Sequence, residues 1–214
     1  MSQTTFRSAL VPARLLLMAA LVSAGAAQAQ NLLTNPDFDA PGGLTGWTTQ
    51  TGSFVLGADS GSCTSSGAID GTSGLSGGGD QNFWITSDQC IPVDPGANPG
   101  LLLAGMYRTT ADVFARIYLQ YFSDGACSAP IGFSPTVFGG TSAGWNRIAG
   151  VLTLDPGAGS VIVFADTILA TSGGPQFAVQ WDRFYLGVEP QIFRDDFEFE
   201  SGSACHWSAV VGGV

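Results

Sequence analysis

Arg116, Tyr118 and Gln120 alternate along Val113–Phe122, so an extended chain would project all three from one face. Together they offer a flat aromatic surface beside planar hydrogen-bonding groups. That pairing suits a sugar, whose apolar ring face is rimmed by hydroxyls. Tyr107 or Arg108 falls on the expected neighbouring strand, and Trp84, beside a glycine-rich stretch, could stack a ligand at a loop end. The same residues also fit a mixed solvent face whose tyrosine lies flat against adjacent strands.

Residues able to catalyse are scarce. The single histidine is His206, between Cys205 and Ser208 in the last stretch of chain, and adjacency in sequence does not build a nucleophile–base pair. Gly74-Leu75-Ser76-Gly77-Gly78 matches Gly-x-Ser-x-Gly, but the surrounding Gly/Ser-rich segment lacks the strand and helix of a nucleophile elbow. The three glutamates, Glu189, Glu198 and Glu200, all lie at or beyond the last expected strand. A converging pair of carboxylates for glycoside hydrolysis stays open in principle. The expectation is a protein that is not an enzyme.

The elements that must position these side chains read as strands. Thr48–Leu56, Asn82–Val93, Leu101–Arg108, Val113–Phe122, Arg147–Leu154, Ser160–Leu169 and Gln176–Val188 are extended runs. Turn residues such as Asp94-Pro95-Gly96 and Asp124-Gly125 separate them, and the Gly/Ser-rich Gly57–Asp80 is expected as a long loop. No window carries a capped 3.6-residue apolar period. Many short strands with Gly/Pro turns imply an all-β sandwich or barrel.

Residues 1–29 read as an export signal: Arg7 and Arg14, an apolar run from Leu15 to Val22, and Ala27-Gln28-Ala29 as the cleavage site. The run is too short to cross a bilayer, and no later segment is long and apolar enough, so no membrane span is expected. Cleavage would leave five arginines against 17 acidic residues, a net charge of −12 with no lysine, which argues against nucleic-acid partners. The acidity serves solubility or lets some carboxylates hold calcium. In an oxidising compartment Cys63, Cys90, Cys127 and Cys205 would form disulfides, in one of three connectivities. Loop proximity favours Cys63–Cys90, leaving Cys127 and Cys205 to pair or stay free.

The peptide after the signal, Asn31-Leu32-Leu33-Thr34-Asn35-Pro36-Asp37-Phe38-Asp39 with Gly46-Trp47 beyond it, resembles the opening of family 4/9 carbohydrate-binding modules. Gln89–Gly96, Gly144-Trp145-Asn146-Arg147 and Phe177–Leu186 resemble their middle turn, a later strand start and the closing strand, in the same order. The chain departs from the family at Ala97-Asn98-Pro99-Gly100, where an aromatic usually follows the Pro-Gly turn. The resemblance implies a single jelly-roll β-sandwich over residues 30–188. It also implies a structural Ca2+ joining first and last strands, through the Asp37 carbonyl and the Asp39 and Asp182 carboxylates, completed by carbonyls near Asp59. Without a metal, Asp39 would cap a turn and Asp182 would pair with Arg183 or Arg147. In such modules aromatics at the positions of Trp47, Trp145 and Trp181 pack the core.

Residues 189–214 form a short acidic tail. Its Asp196-Phe197-Glu198, with Gly202 and Trp207, echoes the entry motif and resembles a C-terminal element of secreted bacterial proteins. The expected protein is therefore exported to the periplasm, surface or exterior of a bacterium, where a lectin-like module would bind polysaccharide or cell-surface glycan. A structural or adhesion module of the same fold without sugar binding is the alternative.

Overall fold

A computed structural model describes residues 31–39, 42–58, 60 and 67–188. The expected export signal, the acidic tail, Asp59, Cys63 and Cys205 lie outside the described residues. Every regular element among the described residues is a strand, as the turn-punctuated sequence leads one to expect.

Two sheets face each other. The first runs in the order β1 (Trp47–Thr51), β5 (Gln81–Ser87), β12 (Ser160–Leu169), β8 (Val113–Phe122), β10 (Val137–Gly139). Short strands extend it: β4 (Gly74–Leu75) on β5, β6 (Ile91–Pro92) on β12 and β9 (Pro130–Phe133) on β8. The second runs β11 (Ser142–Thr153), β7 (Gly100–Thr109), β13 (Ala178–Gly187), β3 (Gly67–Thr72), β2 (Ser53–Ala58). All pairings are antiparallel. The chain is an all-β sandwich of the jelly-roll kind. Alternation along each strand fills the space between the sheets: Val113, Ala115, Ile117, Leu119 and Tyr121 from β8 meet Ile69, Leu103, Tyr107 and Trp181 from the opposite layer.

Several expectations about the elements need correction. Thr48–Leu56 is two strands in different sheets. The chain changes layer at Gly52, where φ is +89° and a Cβ would stand 2.4 Å from the Thr72 carbonyl oxygen, leaving no room for a side chain. Gly57–Asp80 is not one long loop, because it contains β3 and β4. Its glycines are packing residues: a Cβ on Gly71 would lie 2.4 Å from the Phe83 ring, which rests on the bare backbone. The small strands β9 and β10 had no sequence signal and shield the far edge of β8.

The two chain ends of the sandwich meet, as the entry motif implied. Leu32 donates its N–H to the Leu186 carbonyl at 2.7 Å, and Phe184 donates to the Pro36 carbonyl at 3.0 Å. Asn31 makes a two-way clasp, donating Nδ2 to the Phe184 carbonyl (2.8 Å) and accepting the Leu186 N–H (3.1 Å). Asn35, at a φ of +53°, donates to the Gly43 and Thr45 carbonyls and fixes the turn before Pro36.

Among the described residues a disulfide joins Cys90 to Cys127, which overturns the expected Cys63–Cys90 pair. Closeness in sequence misled. The turn after β8 carries Cys127 to within 3.1 Å of the Ser160 hydroxyl at the start of β12, the strand on which β6, just after Cys90, also pairs. Replacing Cys90 with serine frees a 37-residue separation and should cost about 3–4 kcal/mol by loop-closure entropy. Denaturant melts of the oxidised proteins check this, with the variant falling below wild type by that amount.

Candidate functional site

The outward face of the first sheet brings together four of the five residues expected to bind a ligand. Register explains it. Arg116 lies opposite Asp166 on β12, which lies opposite Trp84 on β5; Tyr118 lies opposite Phe164. All these side chains point away from the core, because their strand neighbours Ile85, Ala165 and Ile117 are fully buried in it. Gln120 continues the face, opposite Phe133 of β9.

The aromatic rings form a connected row. Tyr118 stacks on Phe164 with centroids 5.4 Å apart and planes 13° from parallel. Trp84 flanks Phe164 at 5.8 Å, and Phe133 meets Tyr118 edge-on at 5.8 Å. The Trp84 indole N–H is buried without a hydrogen-bond partner among the described residues. Phe164, Phe133 and Asp166 escaped the sequence reading. Phe164 and Asp166 sit on the outward register of β12 but are sealed by their neighbours, at 7% and 2% exposure.

A polar pair anchors the row. Arg116 grips Asp166 with two parallel bonds, Nε to Oδ1 at 2.6 Å and Nη2 to Oδ2 at 2.5 Å. Its hydrogen bond to Asp166 pushes the Arg116 pKa up. Burial pushes Asp166 above the usual carboxylate value, a tendency Arg116 opposes. Burial, then the Asp166 charge, also raises the Tyr118 phenol well above its ordinary value, so it remains a donor at neutral pH. The arrangement can stack a flat apolar ligand and offer it fixed, neutralised polar edges.

Tyr107, the fifth candidate, must be corrected. β7 belongs to the other sheet, and Tyr107 is fully buried, 5.3 Å from Trp181, with its hydroxyl donating to the Gly140 carbonyl at 2.6 Å. Trp47 and Trp181 are core residues as expected, but Trp145 is not. It is only partly buried and lies under Arg108, whose guanidinium carbon is 4.8 Å from its ring centroid.

The acidic corner has the chain ends together but few carboxylates. Asp182 is fully buried; its Oδ2 accepts the Ser60 N–H (2.8 Å), its Oδ1 accepts the Arg183 N–H (2.7 Å), and the Arg183 Nε stands 4.0 Å away. Arg183 has a φ of +50°, a backbone kink that its own bond to Asp182 helps to hold. The Asp39 carbonyl accepts the Gly43 N–H at 2.9 Å. No group of three or more Asp, Glu, His or Cys gathers for a metal among the described residues. The Ser60 hydroxyl, however, is buried, with its N–H on Asp182, and has no hydrogen-bond partner among the described residues. The orphaned hydroxyl oxygen and the buried carboxylate are donors of the type a hard cation takes.

Ser76, of the Gly-x-Ser-x-Gly match, caps the turn between β4 and β5, its N–H bonded to the Asp80 carbonyl at 2.9 Å.

No protein-family model matches the chain, and no curated protein does either. Solved structures share its fold. The enzymatically active domain of bacteriophage CBA120 tailspike protein 4 gives a TM-score of 0.52 at 18% identity, over 74% of this chain and 21% of that one. The carbohydrate-binding module TmCBM61, solved with β-1,4-galactotriose, gives 0.51 at 14% identity, over 75% of this chain and 99% of that one. Arabinose-bound MgGH51 α-L-arabinofuranosidase gives 0.52 at 15% identity, over 75% and 26%. This chain thus spans about a fifth to a quarter of the two enzymes and nearly the whole of the module. The likeness is one of fold.

Arg116→Met would leave Asp166 buried without its cation. Burial alone then sets the folded pKa higher still above the unfolded value of about 3.9. A carboxyl raised on folding contributes most below that unfolded value and loses the contribution as pH rises through the folded pKa. The variant should therefore melt close to wild type at pH 4 and lose roughly 2–3 kcal/mol at pH 7, less than a fully buried pair would because Arg116 is 30% exposed. Thermal melts across that range decide it, and a gap that narrows toward neutral pH contradicts it.

Proposed function

We propose that this chain is an exported, non-catalytic carbohydrate-binding module of lectin-like character, which takes polysaccharide or cell-surface glycan across the outward face of its first sheet. The observation that carries the reading is the row Trp84–Phe164–Tyr118–Phe133 beside the paired Arg116 and Asp166. Sugar rings stack on such rows through their apolar faces, while hydroxyls meet groups held in fixed orientation. Gln120 adds an amide at the same edge. The shared fold with TmCBM61, solved with β-1,4-galactotriose, supports the reading and suggests the first ligands to try.

In this reading a structural Ca2+ ties the entry segment to the closing strand, held by Asp182, with Asp37 and Asp39 from the entry motif and the Ser60 hydroxyl. It would supply charge compensation and no chemistry to the bound glycan. A second reading, a surface module that contacts protein and no sugar, is favoured by the exposure of Phe114 (53%) and Phe138 (64%) at one edge of the face.

Affinity electrophoresis and calorimetry against β-1,4-galactan, arabinan, xylan and cellulose oligomers test the proposal. Wild type should bind at least one, and Tyr118→Ala or Trp84→Ala should weaken that binding about tenfold or more, as expected for an anchoring aromatic. Silence of wild type across the panel rejects the sugar reading in favour of the protein-contacting one. Separately, chelation should lower the melting temperature and added Ca2+ restore it; melts indifferent to both dispose of the metal.

A further inference from the structure

The second sheet carries an unassigned cluster on its own outward face. Between Ser142 and Asn146 the register of β11 against β7 slips. Beyond the slip, alternation along β11 turns Asn146, Ile148 and Leu152 inward and Trp145 outward with exposed Val151, so Trp145 meets Arg108 on the outside while the adjoining Asn146 bonds the buried Tyr107 hydroxyl at 3.1 Å. Arg108 is fixed from two directions. Trp145 lies against its guanidinium plane, and its Nε donates to the Gln180 side-chain oxygen directly across on β13. The remaining guanidinium nitrogens pair with no carboxylate among the described residues. The acid on the same row is Asp70, on the far side of Gln180.

This differs from Arg116, whose charge is spent on Asp166. A guanidinium already stripped of conformational freedom and still uncompensated is suited to a planar anion, which it holds through two parallel hydrogen bonds. Partly buried Trp145 beside it offers an apolar surface for the rest of the ligand. We propose that Trp145, Arg108 and Gln180 form a second binding site, on the sheet opposite the aromatic row, for the carboxylate of an acidic sugar such as a uronate. The site stands on its own residues and does not need the first face to bind.

Calorimetry of the mature protein with a galacturonic acid oligomer, and separately with β-1,4-galactan oligomers, tests it. Wild type should bind the acidic oligomer, and more weakly as salt rises from 50 to 300 mM. Arg108→Gln, which keeps a polar planar end but no charge, should weaken that binding about tenfold, and Trp145→Ala should do the same. Arg108→Lys should recover part of it. Tyr118→Ala should leave it untouched, which separates this site from the first face whether or not galactan binds there. Circular dichroism melts confirm that each variant is folded. Three results overturn the proposal: no binding of the acidic oligomer by wild type, equal binding by Arg108→Gln, or loss of that binding in Tyr118→Ala.

Discussion

The closing strand must be pinned by a peptide that comes more than 150 residues before it, and the rest of the sandwich depends on that closure. Asn31 clasps the backbone of Phe184 and Leu186 across a separation of 153 and 155 residues. Hydrogen bonds alone would contribute little net free energy in water. Here they are roofed by Phe38, Trp47 and Phe184, whose rings lie 4.6–6.2 Å apart and continue through Trp181 to Tyr107. The apolar cluster excludes water from the clasp, and the clasp fixes the ends that carry the cluster. Indole N–H groups within it are satisfied, Trp47 by the Asn35 carbonyl and Trp181 by the Thr167 hydroxyl.

With the interior filled this way, the outward face of the first sheet is free of structural duty at its surface but not beneath it. Asp166 would be a costly charge in a sheet centre, and Arg116 offsets that cost by covering it. The covering arginine is in turn walled by Tyr118, so the ring row and the ion pair stabilise each other. A preorganised face of this kind spends less side-chain entropy on ligand binding than a set of independent rotamers.

Local pattern made parts of this legible in the sequence. β8 and β12 coincide with the runs read from alternation, and Arg116, Tyr118 and Gln120 do share a face. The partners of those residues were not legible, because Asp166 stands 50 positions away and only strand order makes it a neighbour. Strand order also misplaced Tyr107: β7 and β8 follow one another in the chain yet belong to different sheets. Glycine misled in the opposite direction. Gly71 reads as loop, whereas the Phe83 ring needs its bare backbone, a demand set by a residue twelve positions on. Trp145 reads as core from its motif, whereas alternation against buried Ile148 and Leu152 places it on the outward side of β11, with exposed Val151.

Arginine therefore does different work in each layer, and environment alone decides which. Arg116 is held in a two-pronged ion pair with buried Asp166, so its charge is consumed locally and its face presents little net field. Arg108 faces an amide and an indole, both neutral, and its charge stays available at the surface. In a chain as acidic as this one, long-range attraction for anions is absent, and screening confines electrostatics to about 8 Å at physiological salt. Whatever selectivity either sheet has must come from contact geometry: ring against ring on the first, a fixed guanidinium on the second. The sandwich suits that requirement, because it holds both sets of side chains on paired backbone and leaves neither to a loop.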